Sequence, residues 1–142
     1  MHLTDKQIED YKNLGITKVV IEEPLLGSNN IHTVGTLMRY NAMITKAIYD
    51  ALGIVPNYIS TYNSRKFAWQ NLMGKNDKNR EVLFGGYPKD IDKKQVVWEM
   101  VAKEEPQINW LYTKNMTLKK ECYDQADAYT CVRGYMKMNK FW

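Results

Sequence analysis

Histidine and cysteine are scarce in this chain: His2, His32, Cys122 and Cys131 are the whole supply. A structural zinc site would have to enlist all four, so the sequence argues against one. The two cysteines lie nine positions apart in a stretch expected to be helical. That is about 13.5 Å along a helix axis, too far for a disulfide, and it suits a reducing cytoplasm. Long apolar runs are lacking too. None approaches the ~20 residues of a membrane span, and the N-terminal stretch has no signal-peptide core, so no membrane partner is expected. Low-complexity tracts are absent. The charge is not of one sign; a net +4 permits a polyanionic partner without demanding one.

What is present is ordinary globular material. The 142 residues fit one domain, and a 44% hydrophobic share with ten tyrosines and four tryptophans can build a core. "TDKQ" at Thr4–Gln7 is a capping-box pattern opening a short helix with Ile8 and Tyr11, closed by Gly15. Val19, Val20 and Ile21 predict a strand buried on both faces and ended by Pro24. The "LLGSNNIHT" loop, with several possible N-caps, follows. Next comes an amphipathic helix with apolar positions Val34, Leu37, Met38, Ile44, Ile48 and Leu52, stopped by Gly53. "IVPNYIST" predicts a second strand, parallel to the first through that crossover helix.

Further on, "NSRKFAWQNLMG" predicts a short helix capped by Asn63 or Ser64. The stretch 75–89 predicts a loop with at most a turn around "EVLF". "DIDKKQVVWEMVAKE" predicts a helix ending before Pro106, 106–115 is irregular, and a terminal helix runs from Leu118. There is no internal repeat and no interdomain linker. Two parallel strands among four or five helices make a poor sheet, and the apolar first strand lacks a second neighbour. A strand is expected to be missing before Met1.

Two acidic features stand out. Glu22 and Glu23 close the first strand, at the carboxyl end where α/β proteins place ligands, and only one of them can face a given site. In "YDQADAYTCV" (123–132), Asp124 and Asp127 share a helical stripe with Ala128, Cys131 and Tyr135. Carboxylates on such a stripe are explained either by a hydrated helix end or by a divalent cation such as Mg²⁺. The segment 61–94 carries Arg65, Lys66, Lys75, Lys78, Arg80, Lys89, Lys93 and Lys94 against Asp77, Glu81, Asp90 and Asp92. With Phe67, Trp69, Phe84 and Tyr87 interleaved, it suits either a phosphate backbone or a solvated surface over a small apolar cluster. Lys114, Lys119 and Lys120 precede the acidic helix.

"VVIEEPLLGSNNIHTVGTLMRYNAMITKAI", "DKKQVVWEMV" and "DQADAYTCV" resemble, in order and spacing, three motifs of RuvC-like Holliday junction resolvases in the ribonuclease H-like superfamily. The "IEEP" form and "TYNSRK" resemble the phage-type members. The resemblance spans nearly the whole chain. It implies a single α/β, ribonuclease H-like domain over residues 1–142 whose sheet is incomplete, the first strands being absent. It implies metal ligands at Glu22, Asp124 and Asp127, with Lys94 near the scissile phosphate and Glu23 at most supporting. Two Mg²⁺ ions, or Mn²⁺, would act in cleaving branched DNA, in a homodimer, in a bacterial or phage-infected cytoplasm. The nucleic-acid contacts implied are Arg65, Lys66, Lys75, Lys78, Arg80, Lys93, Lys119 and Lys120.

The family's first strand carries an aspartate bridging both metals, and this chain has no counterpart, Asp5 belonging to the capped helix. Three explanations stand open: a fragment, a second polypeptide supplying the missing strands, or an inactive relative. The expected activity of the chain by itself is weak or nil. A non-catalytic nucleic-acid-binding or assembly protein, another ribonuclease H-like nuclease, and an unrelated α/β domain with coincidental acids remain as alternatives.

Overall fold

A computed structural model describes residues 4–23 and 30–141, a mixed α/β arrangement. The strand end predicted at Pro24 and most of the loop predicted after it lie outside the described residues. The chain divides into two compact units, Met1–Ser60 and Thr61–Trp142.

In the first unit, α1 (Asp5–Asn13) starts from the predicted capping box. The Thr4 hydroxyl accepts from the Gln7 amide at 3.2 Å, and the Gln7 side chain accepts from the Thr4 amide at 3.0 Å. β1 (Val20–Glu22) and β2 (Asn57–Ile59) pair in parallel with Ile21 opposite Tyr58, as the crossover requires. Between them runs α2 (Ile31–Leu52). Asn30 caps it by accepting from the amides of His32 and Thr33 at 3.1 and 3.3 Å, which satisfies two of the orphan donors of the first turn. Gly53, at φ +69°, ends it in the left-handed conformation glycine adopts without penalty.

The expectation of a strand buried on both faces is corrected here. Val20 and Ile21 are only half-buried, because β1 has β2 on one edge and no described strand on the other. Ile48, Pro56 and Ile59 are the residues buried in this unit among those described.

The second unit holds the principal core. α3 (Thr61–Ala68) begins two residues before the predicted cap. Ser64 is inside it, buried, with its hydroxyl donating back to the Thr61 carbonyl at 2.9 Å. After a 3₁₀ turn at Gln70–Leu72, β3 (Met73–Lys75) and β4 (Glu81–Leu83) form an antiparallel hairpin where the sequence predicted a loop. Three-residue strands are too short to display a period of two. The turn is organised instead by Asn76, whose side chain accepts from the amides of Lys78 and Arg80, each at 3.0 Å.

α4 (Lys93–Glu104), capped by Asp92, and α5 (Lys120–Met138) complete the unit. Trp69, Leu72, Phe84, Val96, Val97, Val101 and Ala126 are buried in one cluster.

α5 presents Cys122, Ala126, Thr130 and Gly134 as its buried stripe, four residues apart and all small. Small side chains let it come close to α3. A Cβ on Gly134 would lie 2.4 Å from the Ser64 carbonyl oxygen and 2.7 Å from its Cα, both backbone atoms that cannot swing aside. Gly134→Ala is therefore expected to cost about 2–3 kcal/mol and to lower Tm by roughly 6–12 °C, read by thermal unfolding. Ala128→Ser, on the exposed side of the same helix, should stay within about 0.5 kcal/mol of the parent.

Candidate functional site

Glu22 is the last residue of β1 and is exposed; Glu23 follows it, its amide donating to the Ile59 carbonyl at 2.8 Å. That backbone bond extends the parallel ladder by one residue. It directs the two successive side chains to opposite faces of the sheet, so Glu22 and Glu23 cannot serve one site equally.

On α5 the acidic pair occupies a different face from the one that packs. Asp124 is exposed and Asp127 half-buried, while the buried stripe runs through Cys122, Ala126, Thr130 and Gly134. The predicted stripe shared with Ala128, Cys131 and Tyr135 is thus not the packing face: Ala128 is exposed and only Cys131 is buried. Asp124 stays exposed because glycine, alanine, threonine and cysteine do the packing, against α3 and α4. Both cysteines are buried.

The helix termini beside this pair are unusual. α4 begins with Lys93 and Lys94, and α5 is preceded by Lys119 as N-cap residue and begins with Lys120. Helix N-termini carry partial positive charge, and cations there are unfavourable by a few tenths of a kcal/mol each. Lys119 supplies no side-chain cap. The two termini lie side by side, because Tyr123 Oη donates to Gln95 Oε1 at 2.6 Å, one turn into each helix. Toward the other end of α4, Glu104 meets Tyr129 and Arg133, so the helices run parallel. Four exposed lysines and two positive dipole ends therefore share one corner, with Asp124 one turn along α5. None of the four lysines is in an ion pair among the described residues.

The remaining basic residues cluster around aromatic rings. Arg65 and Lys93 both stand over Phe84, at 5.8 and 5.6 Å from its centroid, and Lys66 stands between Tyr62 and Phe67 at 5.7 and 5.8 Å. Lys75, Lys78 and Arg80 are exposed on the hairpin, Lys89 pairs with Asp77 at 3.3 Å, and Lys114 is exposed before α5.

The sequence-predicted ligands are therefore distributed as Glu22 in one compact unit and Asp124 with Asp127 in the other. Among the described residues no group of three or more His, Cys, Asp and Glu side chains converges to hold a metal ion. The donor chemistry of the aspartate pair, two hard carboxylates one turn apart, fits part of a magnesium shell and not a whole one.

The sequence did not disclose what anchors this helix. Arg133 donates to both oxygens of Glu104, Nε to Oε2 at 2.8 Å and Nη2 to Oε1 at 2.7 Å, and also to the Ala68 carbonyl. Its guanidinium lies 4.1 Å from the centroid of Trp69, whose indole N–H donates to Thr130 at 3.1 Å. Tyr129 donates to Glu104 at 2.6 Å and to Glu105 at 3.0 Å. No local motif marks these residues, since the partners are 24 to 65 positions apart.

Comparison with protein-family models, curated proteins and solved structures returns no match to the chain. The family resemblance accordingly rests on the motif residues themselves.

The network sets a pH window. The hydrogen bond from Arg133 holds the Glu104 carboxyl below its ordinary 4.5, helped by Tyr129 and only partly opposed by burial. Burial, and then the bonds to Glu104 and Glu105, push the Tyr129 hydroxyl well above its ordinary 10.0. A depressed acid contributes stability above 4.5 that is lost as pH falls through its folded value. A raised phenol contributes stability below 10 that is lost as pH rises beyond it. Urea midpoints should be level between these limits and fall outside them. Tyr129→Phe should flatten the alkaline fall attributable to this residue, and Glu104→Gln the acid one.

Proposed function

We propose that the chain is a divalent-metal-dependent, structure-specific DNA endonuclease of ribonuclease H-like fold, acting on phosphodiesters in branched DNA as Holliday junction resolvases do. The observation that carries this is the corner where α4 and α5 begin: four lysines at two adjacent helix N-termini, with Asp124 and Asp127 within two turns. Lysines placed against the helix dipoles are a net cost to the folded chain. A bound polyanion would reverse that cost, because phosphates are attracted both to the ammonium groups and to the free backbone N–H groups. The parallel β1–α2–β2 unit ending in an exposed Glu22 supports the same proposal, since ligands of parallel sheets gather at strand carboxyl ends.

In this proposal Asp124 and Asp127 would be ligands of Mg²⁺, or Mn²⁺, with Glu22 a further ligand as the family resemblance implies. When bound, the ion supplies Lewis acidity and lowers the pKa of water for attack on phosphorus. Lys94 neutralises the scissile phosphate. Arg65, Lys66, Lys75, Lys78, Arg80, Lys93, Lys119 and Lys120 grip the backbone around it, and a four-way junction with two equivalent strands calls for a homodimer. The cytoplasm of a bacterial or phage-infected cell is the matching compartment. Among the described residues no helix is long and apolar enough to cross a membrane.

A second proposal, a nucleic-acid-binding protein without catalysis, is favoured by the absence of three converging ligands among the described residues. Cleavage of four-way junction, flap and RNA–DNA hybrid substrates with Mg²⁺ or Mn²⁺ separates the two. Because the bridging aspartate of the family has no counterpart here, the endonuclease proposal expects weak junction cleavage that Asp124→Asn abolishes while metal-free binding persists. Binding without cleavage of any substrate favours the second. For either, Lys93→Ala and Lys119→Ala are each expected to reduce the slope of log affinity against log salt by about 1, measured by titration with labelled junction.

A further inference from the structure

The β3–β4 hairpin carries a cavity for which the endonuclease proposal has no use. It measures about 210 Å³ and is lined from the hairpin turn, from β4 and from the loop that leads to α4. That loop is pressed against the hairpin backbone to backbone, for a Cβ on Gly74 would lie 2.6 Å from the Gly86 amide nitrogen. Phe84, where the chain leaves β4, takes φ +61°, a conformation that bulky residues rarely adopt. It is pinned there: its amide donates to the Leu72 carbonyl at 2.7 Å and its carbonyl accepts from the Tyr87 amide at 3.1 Å. The cavity wall is formed before any ligand arrives.

The chemistry of the lining selects the occupant. Val82 and Ile91 supply apolar surface, and Tyr87, half-buried and edge to face with Phe84 at 5.8 Å, keeps part of its ring uncovered. Among the described residues the side-chain nitrogen of Asn76 has no partner, its Oδ1 being taken by the turn. At the rim Lys89 is paired with Asp77, whereas Lys93 is in no ion pair among the described residues. Lys93 stands over the Phe84 ring instead, as Arg65 does. The volume is below the roughly 300 Å³ at which pockets for drug-sized molecules begin, so it suits a single ring system. Aromatic and apolar walls, a spare donor and a cation at the rim together fit a planar heterocycle joined to an anionic group.

We propose that this cavity holds the base of an unpaired nucleotide, stacked on Tyr87, with its phosphate at Lys93. Lys93 makes the link, because it lines the cavity and is also one of the four lysines where α4 and α5 begin. A strand gripped at that corner runs past the cavity mouth, and a base without a complement turns in. A fully paired duplex offers no such base without the cost of unpairing and unstacking. The cavity therefore favours DNA with unpaired nucleotides, as at a branch point or a flap, over continuous duplex. This rests on reading the corner as a nucleic-acid interface and requires neither a metal ion nor cleavage.

The test uses the full chain, without divalent metal, and short labelled DNA strands. One strand is abasic throughout; the others are abasic except for a single central base, each of the four in turn. Fluorescence anisotropy is expected to show at least one base tightening binding about fivefold or more, the low end of the range for a base stacked on an aromatic side chain. Tyr87→Ala is expected to abolish that gain and Tyr87→Phe to retain it. In the parent chain, which needs no substitution to fold, the one-base strand is expected to shift the amide resonances of Gly85 and Tyr87 where the abasic strand does not. The proposal is overturned if no base improves on the abasic strand, if folded Tyr87→Ala keeps the gain, or if those resonances do not move. Binding of the abasic strand with no gain from any base overturns the cavity and leaves the corner as an interface. Failure to bind any strand or a four-way junction overturns both.

Discussion

The approach of α5 to α3 is the constraint on which the second unit depends. At Gly134 the two backbones are too close for a single methyl group, and the stripe above it is alanine, threonine and cysteine. Close approach turns a helix of low overall hydrophobicity into a core element, because the atoms it excludes from water include backbone as well as side chain. It also sets the geometry of everything polar nearby. Thr130 comes within reach of the Trp69 indole, and Arg133 stands over that ring while holding Glu104. A larger residue at 134 would disturb these bonds together.

That packing explains why carboxylates are tolerated among apolar neighbours. Small residues every fourth position use one side of α5, and Asp124 falls on the opposite side with Asp127 at the margin. Asp124 thus stays exposed to water, outside the packed stripe. The lysines at the starts of α4 and α5 work against the helix dipoles instead. Asp92, the N-cap of α4, and Glu121, in the first turn of α5, offset part of that cost.

The first unit presents the converse case. Its local signals are strong: the capping box and the glycine stop form as the sequence predicts, and Asn30 proves to be the cap among the several the loop offered. Yet among the described residues its tertiary burial is thin, with β1 paired on one edge and Leu37 and Tyr40 of α2 exposed. Local propensity and global packing normally agree in a folded domain.

Thr4 and Gly53 were legible as helix boundaries because capping is a contact within three or four residues, written in order along the chain, whereas Asn30 was one of several possible caps in its loop and Asp92 was not singled out. The parallel pairing of β1 with β2 was legible from the length of the connection between them. The hairpin at 73–83 was not, its strands being too short for a period and its turn depending on the side chain of Asn76. Of the candidate site, the sequence by itself determined which acids and bases are present and on which elements they lie. Tertiary structure alone decided that α4 and α5 run parallel, so that their lysines meet at one corner, and that the exposed face of α5 is the one bearing Asp124. The reason is physical: the contacts that orient these helices, Tyr123 to Gln95 and Arg133 to Glu104, join residues 28 and 29 positions apart, and no local period encodes them.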